Sequence, residues 1–326
     1  MNEIAENKKS SNFSKGLKRF FYDQTILVIF IVLVIIISIA SPNFLRISNI
    51  FNIVRQVTVL GIMAAGMTIV VIGKGIDLSS ASILALAAVV NVMLQQFGYW
   101  PAALAGVSVA IACGFVNGFL IGKIKANFVI VTLGTQILFT SIALIISQGR
   151  NLSSRPEKIF SYIADESILG VPVIAWFLLL IMIVVGILLQ KTSSGRRLYA
   201  TGLNDKAALV AGINVSNVVM STYVINGLLV GIASVVLVSR LPRIRVGTAA
   251  DYLFDVITIV VLGGTALSGG IGNIYKTAIG LLLFAVINNA MALLTVPYEF
   301  QQLTRGIILI IAVLYDEFNR RKRALY

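Results

Sequence analysis

IVRQVTVLGIMAAGMTIVVI (residues 53–72), GKGIDLS (73–79) and ASILALAAVVNVMLQQF (81–97) stand almost end to end in the chain. The outer two pieces are apolar runs near the ~20 residues that cross a hydrocarbon core as an α-helix. The middle piece breaks a helix with Gly73 and Gly75 and carries Lys74 and Asp77. Apolar runs joined by a glycine-broken polar turn read as a helical hairpin in a membrane, where a helix satisfies its own backbone. A closed barrel would need short alternating segments, and these runs do not alternate.

From this hairpin outward the pattern repeats. The chain has 326 residues, 58% hydrophobic and 12% charged, against about 25% charged in soluble domains. Its mean hydropathy is +0.95. Further apolar runs cover approximately residues 25–41, 102–121, 129–147, 171–190, 217–238, 255–266, 277–294 and 303–314. The expected fold is an all-α polytopic membrane protein with about ten transmembrane helices. It comprises a polar N-terminal segment (1–24), a transmembrane domain (25–316) and a short C-terminal tail (317–326). The run at 255–266 is shorter than a full crossing and ends in glycines.

The net charge of +13 orients the chain rather than pointing to nucleic acid, because membrane proteins concentrate Lys and Arg in cytoplasmic loops and no aromatic-basic module is present. With both termini inside, fifteen cations fall in cytoplasmic segments and seven in outer ones. Arg240, Arg243 and Arg245 oppose the bias, since alternation puts residues 239–254 outside. The last part of the N-terminal segment, 13–22, suits a short amphipathic surface helix or a frayed tail. Residues 148–170 form a long polar outer loop. Cys113 is the single cysteine and there is no histidine, which removes disulfides, the commonest metal ligand and the commonest general base. No metal site and no cofactor are expected.

Three sets of residues stand out against this apolar background. Asp77 is a carboxylate between long apolar runs, costly unless paired or solvated. It either caps the following helix, accepting from the backbone of Ser79 or Ser80, or lines a polar path through irregular backbone. LGGTALSGGIG (262–272) has five glycines in eleven residues, which implies a broken helix or re-entrant loop. It faintly echoes residues 71–79, with a helix, glycines and Leu-Ser in the same order. Residues 270–277 nearly spell a phosphate loop, but Tyr275 stands where the second glycine must be and no strand precedes it. Leu267-Ser268-Gly269-Gly270 is similarly close to the signature of ABC ATPases without the surrounding domain, so nucleotide binding by this chain is rejected. Polar residues inside spans form the third set: Arg55, Gln56, Thr58, Asn91, Gln95, Gln96, Asn117, Thr132, Thr135, Gln136, Asn226, Asn288 and Asn289. They fit a path for a hydroxyl-rich solute or interhelical hydrogen bonds. Gly114, Gly118 and Gly122, one turn apart, fit an inter-subunit seam or internal packing.

KTSSGRRLYATGLNDKAALVAGINV (191–215) is a polar break much longer than a turn requires. It opens with Lys191, Arg196 and Arg197, then gives a short helix-like piece, 204–211, closed by Gly212. Its length suggests a cytoplasmic docking handle.

Taken with SPNFLRISNIFNIVRQ (41–56), GIMAAGMTIVVI (61–72), GIDLS (75–79), TSSGRRLYATGLNDKAALVAGINV (192–215) and VLGGTALSGGIGNI (261–274), nearly the whole chain resembles the membrane permeases of bacterial ABC sugar importers, closest to the ribose type, with branched-chain amino acid permeases as a more distant branch. The resemblance implies a non-enzymatic subunit of the bacterial inner membrane that moves ribose or a similar monosaccharide inward. Other solutes open to such a permease are another pentose or hexose, a nucleoside, a furanosyl signal molecule or an amino acid. A standalone secondary transporter should show a coupling carboxylate or histidine within a span, and Asp77 and Asp255 are not mid-span. A membrane enzyme finds no paired carboxylates or Cys cluster here. The implied partners are an ABC ATPase, commonly two fused cassettes, an extracytoplasmic solute-binding protein, a second and often identical permease subunit, and membrane lipid. The implied fold is similar to the cobalamin-importer class. The coupling helix would be 204–212, seated through Asn204, Ala207, Ala208 and Ala211, ended by Gly212, with Asp205 and Lys206 as rim charges. Gly75, Asp77, Ser79, Gly263, Gly264 and Thr265 would lie near the translocation path.

Overall fold

The computed structural model describes residues 25–154 and 166–324. The expected surface helix at 13–22 and the middle of the polar loop, 155–165, lie outside the described residues. The helices are α1 (Thr25–Ala40), α2 (Ile47–Ile72), α3 (Ser80–Leu94), α4 (Tyr99–Gly118), α5 (Phe128–Ser147), α6 (Val173–Lys191), α7 (Ser193–Leu203), α8 (Asp205–Val210), α9 (Val215–Arg240), α10 (Tyr252–Leu262), α11 (Ile274–Leu293) and α12 (Tyr298–Ala324). A five-residue π-helical stretch, Phe119–Lys123, continues α4.

Among the described residues seven helices, α2–α6, α9 and α11, are long and apolar enough to cross a membrane. The chain is a polytopic helical membrane protein. The other three expected spans fall on α1, with 16 residues, on α10, with 11, and on α12, whose 27 residues alternate apolar and charged faces. The expected start at residue 53 moves back to Ile47, because the largely exposed residues 47–52 already continue the helix.

α2 is the axis of the bundle. Its apolar stretch is 83% buried, against 22% for α5 and for α6. The reason is in its residues: Gly61, Ala64, Ala65 and Gly66 keep its middle thin, and a Cβ at Gly66 would stand 2.4 Å from Asn226 Oδ1. Such close approach replaces the hydrophobic drive that lipid cannot supply. α6, α9, α10 and α11 pack round it, while α5 and α6 keep broad apolar faces outward.

The glycines of α4 resolve into internal packing. A Cβ at Gly114, Gly118 or Gly122 would meet the backbone oxygen of Tyr223, Met220 or Ser216 at 2.4, 2.6 or 2.7 Å. All three lie on α9, and Gly227 of α9 returns the contact to Ala110 O at 2.5 Å. α4 and α9 therefore touch backbone to backbone along this stretch.

The loops sort into two ends. At one end β1 (Leu152–Ser153) pairs antiparallel with β4 (Arg243–Ile244), and a hairpin of β2 (Ser167–Ile168) and β3 (Val171–Pro172) precedes α6. The arginine-bearing segment after α9 is thus at the same end as the segment after α5, where alternation puts it. At the other end the residue 73–79 turn, the 119–127 connection, α7–α8 and the glycine-rich 263–273 loop come together.

Candidate functional site

Two helix breaks and the α7–α8 loop make up the second end. α2 stops in a paired backbone cap: Lys74 N–H donates to Val71 O at 2.9 Å and Gly75 N–H to Val70 O at 3.1 Å. The cap needs a left-handed residue, and Lys74 supplies it at φ 69°. The chain then turns back into the bundle. Gly75 passes so close to Tyr223 that a Cβ would stand 2.5 Å from the phenol oxygen.

That dip carries Asp77 to complete burial, 0% exposed. Its Oδ1 accepts from the Ser79 N–H at 3.0 Å and the Ser79 hydroxyl at 2.6 Å. Asn117 Nδ2 of α4 reaches the same oxygen at 3.3 Å and Ser79 Oγ at 2.8 Å. Asn226 Nδ2 of α9 donates to Oδ2 at 2.9 Å and to Ser80 Oγ at 3.1 Å. Asn226 lies eleven residues into α9, about 16 Å along its axis, so the carboxylate is held well inside the bundle. Its partners are neutral donors that saturate a carboxylate without a cation. Chemically this is a clamp: one side chain ties the start of α3 to α4 and α9. The backbone acceptance from Ser79 is the capping contact the sequence suggested, although Ser79 itself stands at the N-cap position.

α10 ends in the same cap. Gly264 N–H donates to Val261 O at 2.8 Å and Thr265 N–H to Val260 O at 3.2 Å, with Gly264 at φ 72°. The geometric match pairs Gly73 with Gly263 and Lys74 with Gly264, one residue out of register from the sequence echo. Beyond the cap the two breaks part. The second loop is held through its backbone and from outside: Leu267 N–H donates to Asp316 Oδ2 of α12 at 3.1 Å, Tyr199 Oη donates to Gly272 O at 2.9 Å, and Gln190 Nε2 donates to Asn273 Oδ1 at 3.1 Å. Burial raises the Tyr199 hydroxyl above its usual pKa and keeps it a donor. Thr265 is fully buried and its hydroxyl has no hydrogen-bond partner among the described residues.

The stretch read as a docking handle folds as α7 and α8, with more helix than the sequence indicated. Thr192 caps α7 through Gly195 N–H at 3.1 Å, and Asn204 caps α8 through Ala207 N–H at 3.0 Å. Gly212, at φ 79°, closes α8. Ala208 is turned inward at 4% exposed, while Val210 stands 90% exposed and Leu209 65%. The outward surface of α8 is therefore Asn204, Asp205, Lys206, Ala207 and Ala211 with Leu209 and Val210, two apolar residues absent from the seating face expected from sequence.

One residue joins handle and breaks. A Cβ on Gly202 would stand 1.9 Å from Ile72 O and 2.5 Å from Gly270 N, and Gly270 N–H itself donates to Ile72 O at 2.8 Å. The end of α7 is thus wedged between the end of α2 and the second loop. Nothing in the sequence hints at this, since a glycine inside a helix reads only as a weak helix former. Asn117 and Asn226 were visible as polar residues within spans, but their shared partner was not. Others of that set also tie helices: Asn289 and Asn49 exchange amide bonds at 2.9 Å, and Arg305 bridges Asn288 at 3.0 Å and Asp255 at 3.4 Å.

The family described as the permease component of branched-chain amino acid transport systems matches residues 49–313. The ribose import permease protein RbsC of Haemophilus influenzae is 33% identical over 97% of this chain and 98% of its own length. RbsC of Bacillus subtilis is 40% identical over 90% of this chain and 91% of its own. The L-arabinose transport system permease protein AraH of Escherichia coli is 34% identical over 96% and 95%. No solved structure matches the chain.

Proposed function

The chain belongs to the family of branched-chain amino acid transport system permease components, and from that premise we propose that it is the membrane permease subunit of an ATP-driven importer of ribose or a closely similar monosaccharide. The observation that carries this reading is a resemblance that runs end to end: the ribose permease of H. influenzae is matched over 97% of this chain. The arabinose permeases, at comparable identity, favour a second pentose as the alternative solute.

In this reading the chain binds and moves solute but makes and breaks no bonds. Hydrolysis belongs to an ATPase subunit, two fused cassettes being the expected form, and delivery to an extracytoplasmic binding protein. About ten spans, α1–α6 and α9–α12, place both termini and the α7–α8 loop in the cytoplasm, and two copies enclose the path. α8 seats on the ATPase through its outward residues. When the cassettes close, α8 and α7 move together. The wedge at Gly202 passes that movement to the ends of α2 and of the 263–273 loop, while the Asp77 clamp keeps α3, α4 and α9 moving as one body. Gly75, Ser79, Gly263, Gly264 and Thr265 then act by shaping these two breaks beside the path.

The test is uptake of labelled ribose and arabinose into proteoliposomes that contain the chain alone or with its ATPase and binding protein. Uptake should require all components and ATP. Uptake by the chain alone, driven by an ion gradient, would remove it from ATP-driven import.

A further inference from the structure

Behind α8 lies a cavity of about 630 Å³, within the ~300–1,000 Å³ of small-molecule sites. Its wall runs from residues 73–75 across the π-helical end of α4 to α8 and the start of α9. Three lysines line it, Lys74, Lys125 and Lys206, against one carboxylate, Asp205; Lys206 and Asp205 belong to the exposed surface of α8 as well. Among the described residues none of the three ammonium groups makes a hydrogen bond or ion pair.

Cations on a cytoplasmic face are ordinary in membrane proteins. The backbone under two of these is not. Lys74 and Lys125 sit at φ 69° and 62°, a left-handed region that favours glycine. The position matching Lys74 in the second break is Gly264, the residue such caps prefer. Two lysines are thus kept where glycine would be easier, and both line the same hollow. On its wall Thr201 is 2% exposed and its hydroxyl has no hydrogen-bond partner among the described residues.

We infer that this cavity binds a small organic phosphate the size of a phosphorylated monosaccharide, entering from the side of α8. The lysines supply charge for a phosphate carrying about −1.5 to −2, and the volume leaves room for a sugar beyond it. The identity of the organic part rests on the proposed function: a neutral sugar brought into a cell is retained by a phosphoryl-transfer reaction, whose product keeps most of the hydroxyls and gains the anion. Such a ligand would sit between α8 and the end of α2, the parts that must shift together for transport, and would slow import as product accumulates.

The test is calorimetric titration and thermal unfolding of the purified full chain in zwitterionic nanodiscs with ribose 5-phosphate, ribose and inorganic phosphate. Lys74→Gly and Lys125→Gly remove the charge while easing the backbone, so the variants should stay folded. Ribose 5-phosphate should bind and raise the unfolding midpoint, ribose should not, and each variant should weaken binding roughly tenfold or more. No binding, equal binding by both variants, or equal affinity for inorganic phosphate would overturn the inference. A second set of nanodiscs with anionic lipid separates the remaining phosphate source: if only those lipids protect the lysines and ribose 5-phosphate does not compete, the site belongs to lipid headgroups and the inference fails. The readout needs neither ATPase nor transport, so its failure leaves the permease reading standing, and failed uptake leaves the binding result standing.

Discussion

The two helix breaks begin alike and end differently. Both close a helix with the same pair of backbone bonds and a left-handed residue, Lys74 in one and Gly264 in the other. After that cap the first turns inward and is locked by a buried carboxylate with donors from three elements. The second also buries Thr265 and Ala266, but its side-chain ties, Asp316, Tyr199 and Gln190, come from partly exposed residues of other helices. One backbone motif thus serves as an anchor where its polar partners are dry and as an adjustable link where they are wet. Buried polar networks are costly to break, and partly solvated ones exchange with water at small cost.

If that contrast is right, Asp77→Ala has the largest effect. It leaves the Ser79 N–H and hydroxyl without their acceptor in a dry interior, each worth about 1–3 kcal/mol, and takes one acceptor from the amides of Asn117 and Asn226, which keep only Ser79 Oγ and Ser80 Oγ. Purified protein should unfold many degrees lower and uptake should be lost, with Asp77→Asn falling between the two because it keeps one acceptor. An Asp77→Ala protein as stable as the parent would show that the clamp does not anchor the first break.

Gly114→Val comes next. The added Cβ would meet Tyr223 O at 2.4 Å, backbone that cannot swing aside, so α4 and α9 must separate at about 1–3 kcal/mol. Lowered thermal stability with residual uptake is expected, since the seam lies beside the clamp and not in it. Unchanged stability would move the α4–α9 contact apart from the one described.

Asp316→Ala should do least. It frees one rim N–H, Leu267, to water, for roughly 1 kcal/mol or less. The unfolding midpoint should scarcely move, while hydrogen exchange at residues 263–273 should speed up. A loss of stability equal to that of Asp77→Ala would erase the distinction between the two breaks.

Much of this architecture was legible in the chain. Runs such as 53–72 declare themselves because lipid demands apolar side chains over a fixed length. α10 and α12 were harder. α10 is too short to fill that length, and α12 spends its polar face on Arg305, Gln302 and Asp316, which bond neighbouring helices and the 263–273 loop. Asp77 was conspicuous as a carboxylate among apolar runs, yet its partners lie 40 and 149 positions away, beyond any local pattern. α7 was missed because its mixed polarity resembles a loop, and its cap, Thr192 onto Gly195, is a single bond. The wedge at Gly202 depends wholly on what the fold brings against it.

In the proposed mechanism, coupling between the handle and the two breaks runs through Gly202, which packs against Ile72 O and Gly270 N. The measurement is the ratio of sugar imported to ATP hydrolysed by the reassembled importer, parent against Gly202→Val. The added side chain should push α7 off Ile72 O and Gly270 N while leaving the outward face of α8 intact. Hydrolysis should then persist within about twofold while uptake falls roughly tenfold or more, each tenfold corresponding to about 1.4 kcal/mol. Uptake and hydrolysis preserved in the parent ratio would contradict a transmitting role for this junction.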